Sequence, residues 1–201
     1  RHCGSRPGQS CQTEQYSRWG HQPPAHFWQT GLNVAMTLTL NILPLTKEAF
    51  APFGDVIEVD GARVMNINQG TTQRFHDLAK VQTLEDGHTL INIFRGQPRP
   101  QPIEIKMMEY HPIGSQAFIP LQPAPYLLVV APAGDAPGAE ALVAFRADAH
   151  QGINYHAAVW HHPLLVLQEN HDFLVVDRGG PGDNLVEHWF NDGQSAVATL
   201  L

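Results

Sequence analysis

Met107-Met-Glu-Tyr-His-Pro-Ile-Gly-Ser-Gln-Ala-Phe-Ile-Pro-Leu121 places two short apolar runs on either side of a Pro/Gly turn. Runs of this length, rich in branched and aromatic residues and bounded by turn formers, read as strands. Glu109 and His111 are two apart, so an extended chain sends both side chains to one face. Gln116 opens the run after the turn. The arrangement puts a histidine and an amide at one rim of a sheet, where side chains can converge on a ligand.

The same pattern continues outward in both directions. Asp55–Val59, Thr89–Arg95, Ile103–Tyr110, Tyr126–Ala131, Leu142–Arg146, Trp160–Leu167 and Phe173–Asp177 read as further strands. Arg95-Gly-Gln-Pro98, Ala131-Pro-Ala-Gly134 and Asp177-Arg-Gly-Gly180 punctuate them. Thr46 to Phe53 fits two turns of helix with Thr46 as its cap. Many short strands with one or two short helices predict an all-β barrel or sandwich. Patterned sequence begins after Met36, so the expected domain spans residues 36–190, with 191–201 as a C-terminal tail. Residues 1–35, rich in Gly, Pro, Gln, Ser and His and without periodicity, are expected to be a disordered extension. They contain no apolar stretch of the secretory kind and no amphipathic stripe.

Composition narrows the function. The formal charge of −7 argues against a nucleic-acid partner, which needs a basic face. No stretch approaches the roughly 20 apolar residues that span a bilayer. Cys3 and Cys11 are the two cysteines, so residues from 12 onward can hold neither a thiolate metal site nor a disulfide. A body without thiols fits a reducing cytoplasm.

Histidine carries the chemistry. Three histidines fall within seven residues of Gly152-Ile-Asn-Tyr-His-Ala-Ala-Val-Trp-His-His-Pro-Leu-Leu165: His156, His161 and His162. Alternation sends His161 and His162 to opposite faces, so one of the two should enter a cavity. Imidazole binds Ni, Zn, Cu or Fe, and without thiols any ligand set is N/O. A single histidine in a β-barrel is more often structural, Glu109 could be a surface cross-strand partner, and Gln116 could satisfy buried backbone. Arg95 ends an apolar strand and Arg74 sits in Thr72-Gln-Arg-Phe-His-Asp77. A guanidinium holds a carboxylate bidentately, which suits an α-hydroxy acid, although an ion pair within the protein would use the same geometry.

Asn41-Ile-Leu-Pro-Leu-Thr-Lys-Glu-Ala-Phe-Ala-Pro-Phe-Gly-Asp-Val-Ile-Glu58, Arg74-Phe-His-Asp-Leu-Ala79, His111-Pro-Ile-Gly-Ser-Gln-Ala-Phe-Ile-Pro120, Gly152-Ile-Asn-Tyr-His156, Val159-Trp-His-His-Pro-Leu164 and Asp177-Arg-Gly-Gly180 together resemble the bacterial ureidoglycolate lyase family of allantoin breakdown. The resemblance covers about residues 36–190. It implies a cupin-like barrel, a homodimer, a divalent ion (nickel in the family) and cleavage of (S)-ureidoglycolate to glyoxylate and urea. On that basis His111, His162, His156 and Glu109 are the candidate catalytic groups. Arg95, Arg74, Gln116 and Asn154 are the candidates for holding substrate, and His111, Gln116 and His161 for holding metal. The usual cupin metal motif, two close histidines and a glutamate on one segment, is not intact. The competing expectation is a non-catalytic cupin-like module that binds a hydroxy acid or sugar.

Overall fold

The computed structural model describes residues 38–191 and 195–198, so the expected extension, residues 1–35, lies outside the described residues. The chain begins with β1 (Leu38–Leu40), β2 (Ile42–Pro44), α1 (Lys47–Phe50) and β3 (Gly54–Ile57). A hairpin of β4 (Arg63–Ile67) and β5 (Thr72–His76) leads to the long β6 (His88–Gly96). β7 (Ile103–Ile105), β8 (Met107–Tyr110), β9 (Gln116–Pro120), β10 (Tyr126–Ala131), β11 (Val143–Ala147) and β12 (Gly152–Tyr155) follow. The last elements are β13 (Trp160–His161), β14 (Leu165–Val166), β15 (His171–Gly179), β16 (Val186–Trp189) and β17 (Ala196–Ala198).

These strands build the all-β, cupin-like sandwich that the sequence predicts. One large sheet has the order β16-β8-β13-β10-β11-β2, with β14 also on β10; the facing sheet is β3-β12-β9-β15-β6. A third, small sheet, β1-β17-β7, completes the stack. β10 shows why its six residues are all apolar. Tyr126, Leu128 and Val130 pack with Phe118, Ile153, Phe173 and Val175 of the facing sheet. Leu127, Val129 and Ala131 point the other way, onto Leu40, Ile103, Ile105 and Ala196 of the small sheet. A strand covered on both faces loses polar alternation.

Four expectations change in detail. Ile103–Tyr110 is two strands: β7 pairs with β17, whereas β8 pairs with β13 and β16. Trp160–Leu167 breaks between β13 and β14 at His162-Pro163, because proline has no N–H for the ladder. Residues 196–198, assigned above to a tail, form β17, with Ala196 fully buried between β1 and β7. The helix is a single turn, capped as expected by Thr46 Oγ1, which accepts from the Ala49 N–H at 3.2 Å. Its Phe50 is wholly buried edge-on to Phe145, 5.8 Å between ring centres. Among the described residues no helix is long and apolar enough to cross a membrane.

Candidate functional site

Polar side chains gather at one end of the gap between the two large sheets. In the facing sheet, β12 and β9 pair Tyr155 with Gln116, and Gln116 shares its inward face with Phe118. β15 pairs Val176 with Ala117, so the next step sets Asp177 opposite Gln116. In the opposing sheet, β13 pairs His161 with Glu109 of β8, and His111 follows two residues on. His111, Gln116 and Asp177 border a cavity of about 300 Å³ that Arg178, Asn184 and Leu185 also line.

The hydrogen bonds fix how the histidines face. His111 Nδ1 lies 2.6 Å from the Asn184 carbonyl. A carbonyl can only accept, so Nδ1 carries a proton and it is Nε2 that faces Gln116 and the cluster. His161 Nδ1 likewise donates to the Val159 carbonyl at 2.9 Å. Its Nε2 is buried without a partner and stands 3.7 Å from Glu109 Oε1. Burial, aided by His111, holds the His161 pKa down at about 3, so this contact is not an ion pair at neutral pH. Burial is also the chief cause that raises the Glu109 pKa; Glu187 adds to the rise and His111 opposes it. Gln116 Oε1 lies 3.3 Å from His111 Nε2.

Ligand atoms of Glu109, His111 and His161 all lie within 4.8 Å of one another. Two imidazole rings and a carboxylate, with the His161 Nε2 buried and unsatisfied, suit a divalent cation of the nickel-to-zinc kind. The residues present therefore fit a metal. Tyr155 stacks on His161 at 4.2 Å and 10° between planes, which fixes the plane of the imidazole.

Five sequence-predicted residues lie elsewhere. His162, the alternate of His161, turns away; its Nδ1 bonds the Pro163 carbonyl and the cation it senses is Arg99. Burial pushes its pKa down to about 4. His156 faces Asp55 at 3.4 Å, on a separate cavity of about 520 Å³ shared with His76 and Asp77. Asn154, one step from the inward Tyr155, points to the other face and donates to Asp55 Oδ2 and the Lys80 carbonyl. Arg95 is already engaged: Nε and Nη2 hold both oxygens of Asp172, at 2.7 and 2.8 Å, on the exposed outer side of the sheet. The ion-pair alternative is thus the one realised. Arg74 lies exposed on β5, opposite Met65, away from the cluster.

Tyr155, Asp177 and Asn184 were not singled out in the sequence for these roles. For Tyr155 the signal was present, since Gly152-Ile-Asn-Tyr155 is a strand whose alternate residues must face the core. Arg178 braces the surrounding loops. Its guanidinium donates to the carbonyls of Leu84, Glu85 and Pro181, and a Cβ on Gly114 would sit 2.6 Å from the Arg178 Cβ. Glycine in the His-Pro-Ile-Gly turn is what lets the two segments meet.

Comparison with known proteins gives the family. The model of a family described as ureidoglycolate lyase matches residues 37–197. A ureidoglycolate lyase of Pseudomonas savastanoi pv. phaseolicola is 57% identical over 159 residues, covering 79% of this chain and 94% of that protein. One from Pseudomonas putida (strain W619) is 54% identical over 160 residues, covering 79% and 96%. A third, from Pseudomonas syringae pv. syringae, is 55% identical over 159 residues.

Proposed function

The chain belongs to the ureidoglycolate lyase family, and from that premise we propose that it cleaves (S)-ureidoglycolate to glyoxylate and urea at the Glu109–His111–His161 cluster. The observation that carries the reading is the convergence of three lone-pair donors beside a small cavity, one of them a buried imidazole nitrogen with no partner.

Ureidoglycolate carries a hydroxyl, a carboxylate and a ureido nitrogen on one carbon. Cleavage takes the hydroxyl proton, forms the aldehyde C=O, breaks the C–N bond and returns a proton to the departing nitrogen. Water is not consumed. Glu109 is suited to move that proton: burial makes its carboxylate a stronger base, and once protonated it can act as the acid toward the leaving nitrogen. His111 and His161 would hold a divalent ion with Gln116 beside them, nickel being our assignment, and Glu109 has an oxygen to offer to the same set. When bound, such an ion would supply a Lewis-acidic centre for an α-hydroxy carboxylate. His111 is oriented by Asn184 and His161 by Val159 and Tyr155, so neither imidazole has to reorganise.

A homodimer is part of the same reading. β6 is an edge strand of nine residues whose outward Ile91 and Ile93 are 72% and 57% exposed, a surface that a second copy would cover. A cytoplasmic setting fits a body without cysteine. The deciding experiment incubates the nickel-loaded protein with racemic ureidoglycolate and measures products. Equal amounts of urea and glyoxylate, with half of the racemate consumed, are expected. Ammonia and carbon dioxide instead of urea would overturn the assignment.

A further inference from the structure

Asp177 opens the Asp177-Arg-Gly-Gly180 segment and has no part in the chemistry above. It shares the inward face of β15 with Phe173 and Val175, both fully buried in the core between the sheets. The register sets it opposite Gln116, and it borders the same cavity as His111. On its other side Asn92, opposite Val175 and so on the same face, donates through Nδ2 to Asp177 Oδ1 at 2.9 Å. Asn92 is the half-buried polar residue of a strand that is otherwise mostly exposed. The bond orients the pair. It uses one Asp177 oxygen and the Asn92 amide nitrogen, leaving two acceptors, Asp177 Oδ2 and Asn92 Oδ1, outside it.

Acceptors recognise N–H groups. Arg178 lines the same cavity but spends its guanidinium on the Leu84, Glu85 and Pro181 carbonyls. The Asp177 carboxylate therefore sets the charge of this wall against the substrate's carboxylate, and the charged end of the substrate belongs on the Glu109–His111–His161 side, where a cation would sit. The ureido end, with three N–H donors and no charge, then falls toward Asp177. Resting on the lyase reading, we propose that Asp177, oriented by Asn92, is the specificity-determining acceptor for the ureido group and sets which way round the substrate lies. A bond from the ureido N–H to a carboxylate is charge-assisted, which a neutral amide cannot reproduce.

The test uses two stable probes, oxalurate, which carries a ureido group and a carboxylate, and glyoxylate, which carries the carboxylate alone. Binding is measured calorimetrically to the nickel-loaded wild type, Asp177→Asn and Asn92→Ala. Asp177→Asn keeps the shape and removes the charge; we expect oxalurate to weaken about 10–100-fold, the worth of one charge-assisted hydrogen bond, with glyoxylate unchanged or tighter. Asn92→Ala should weaken oxalurate less, in the same direction, and stands in if Asp177→Asn does not fold. A pair that merely ties the edge strand β6 to the sheet would change the melting temperature and leave the ratio of the two affinities alone; that result, or equal loss of both probes, overturns the proposal. Wild-type protein that releases no urea would instead sink the lyase reading itself.

Discussion

Glu109 and Arg95 show how much one side chain's surroundings decide. Both are charged residues near strand ends, yet burial raises the Glu109 pKa while Arg95 spends its guanidinium on Asp172 at the surface. Glu109→Gln preserves shape and removes the proton carrier. Its kcat should fall by about 10²–10⁴-fold, the usual worth of a positioned acid–base group, with nickel retained by the histidines. Steady-state kinetics with metal analysis on the same sample checks both; loss of the metal along with activity would make Glu109 chiefly a ligand. Arg95→Lys should do little. Exposed ion pairs contribute weakly, so kcat/KM should stay within about twofold of wild type. A tenfold or larger rise in KM would return Arg95 to the substrate.

At the level of elements, what the sequence carried locally came through, and what depends on distant pairing did not. β10 was readable because six apolar residues between turn formers can be little else, and the Thr46 cap because its partner is three residues away. His161 and Glu109 were readable as candidates because their motifs are local; that they meet depends on a β13–β8 pairing 52 positions apart in sequence. The ion pair of Arg95 was not legible for the same reason. Its partner Asp172 is 77 residues on and enters only through the β6–β15 register. His162 was set ahead of His161, as a catalytic candidate against a metal ligand, although alternation says only that one of the two enters, not which one. Asn154 was placed with the substrate when its strand turns Tyr155, not Asn154, inward. β6 supplies the prediction at this scale. Its outward isoleucines lie on an unpaired edge, so a charge there should oppose self-association. Ile91→Lys should shift the protein from dimer to monomer by light scattering at micromolar concentration, with the fold intact by circular dichroism. A wild-type protein already monomeric under those conditions would remove the dimer from the reading.

For the whole molecule, buried histidines set the response to acid. His171 is fully buried against Phe173 and Tyr126, with the Gln122 backbone and Asp172 as polar neighbours that only partly offset the burial. Burial lowers its pKa, as it lowers that of His162 to about 4. In the unfolded chain each would titrate near 6.5. The sign follows directly: between the folded and unfolded pKa values the unfolded state binds more protons, so acid favours unfolding there. The stability is fully present above about pH 6.5 and is lost as pH falls toward the depressed folded values. Carboxylate effects such as the lowered pKa of Asp172 beside Arg95 come later, below its ordinary range. The melting temperature should therefore be level from about pH 8 to 7 and decline well before the carboxylates titrate. His171→Leu removes one of these protons, so its melting temperature should fall less steeply than wild type between about pH 6.5 and 5, whatever its value at pH 8. Parallel curves for the two proteins over that interval would mean that His171 takes up no proton on unfolding, and that the acid response has another source.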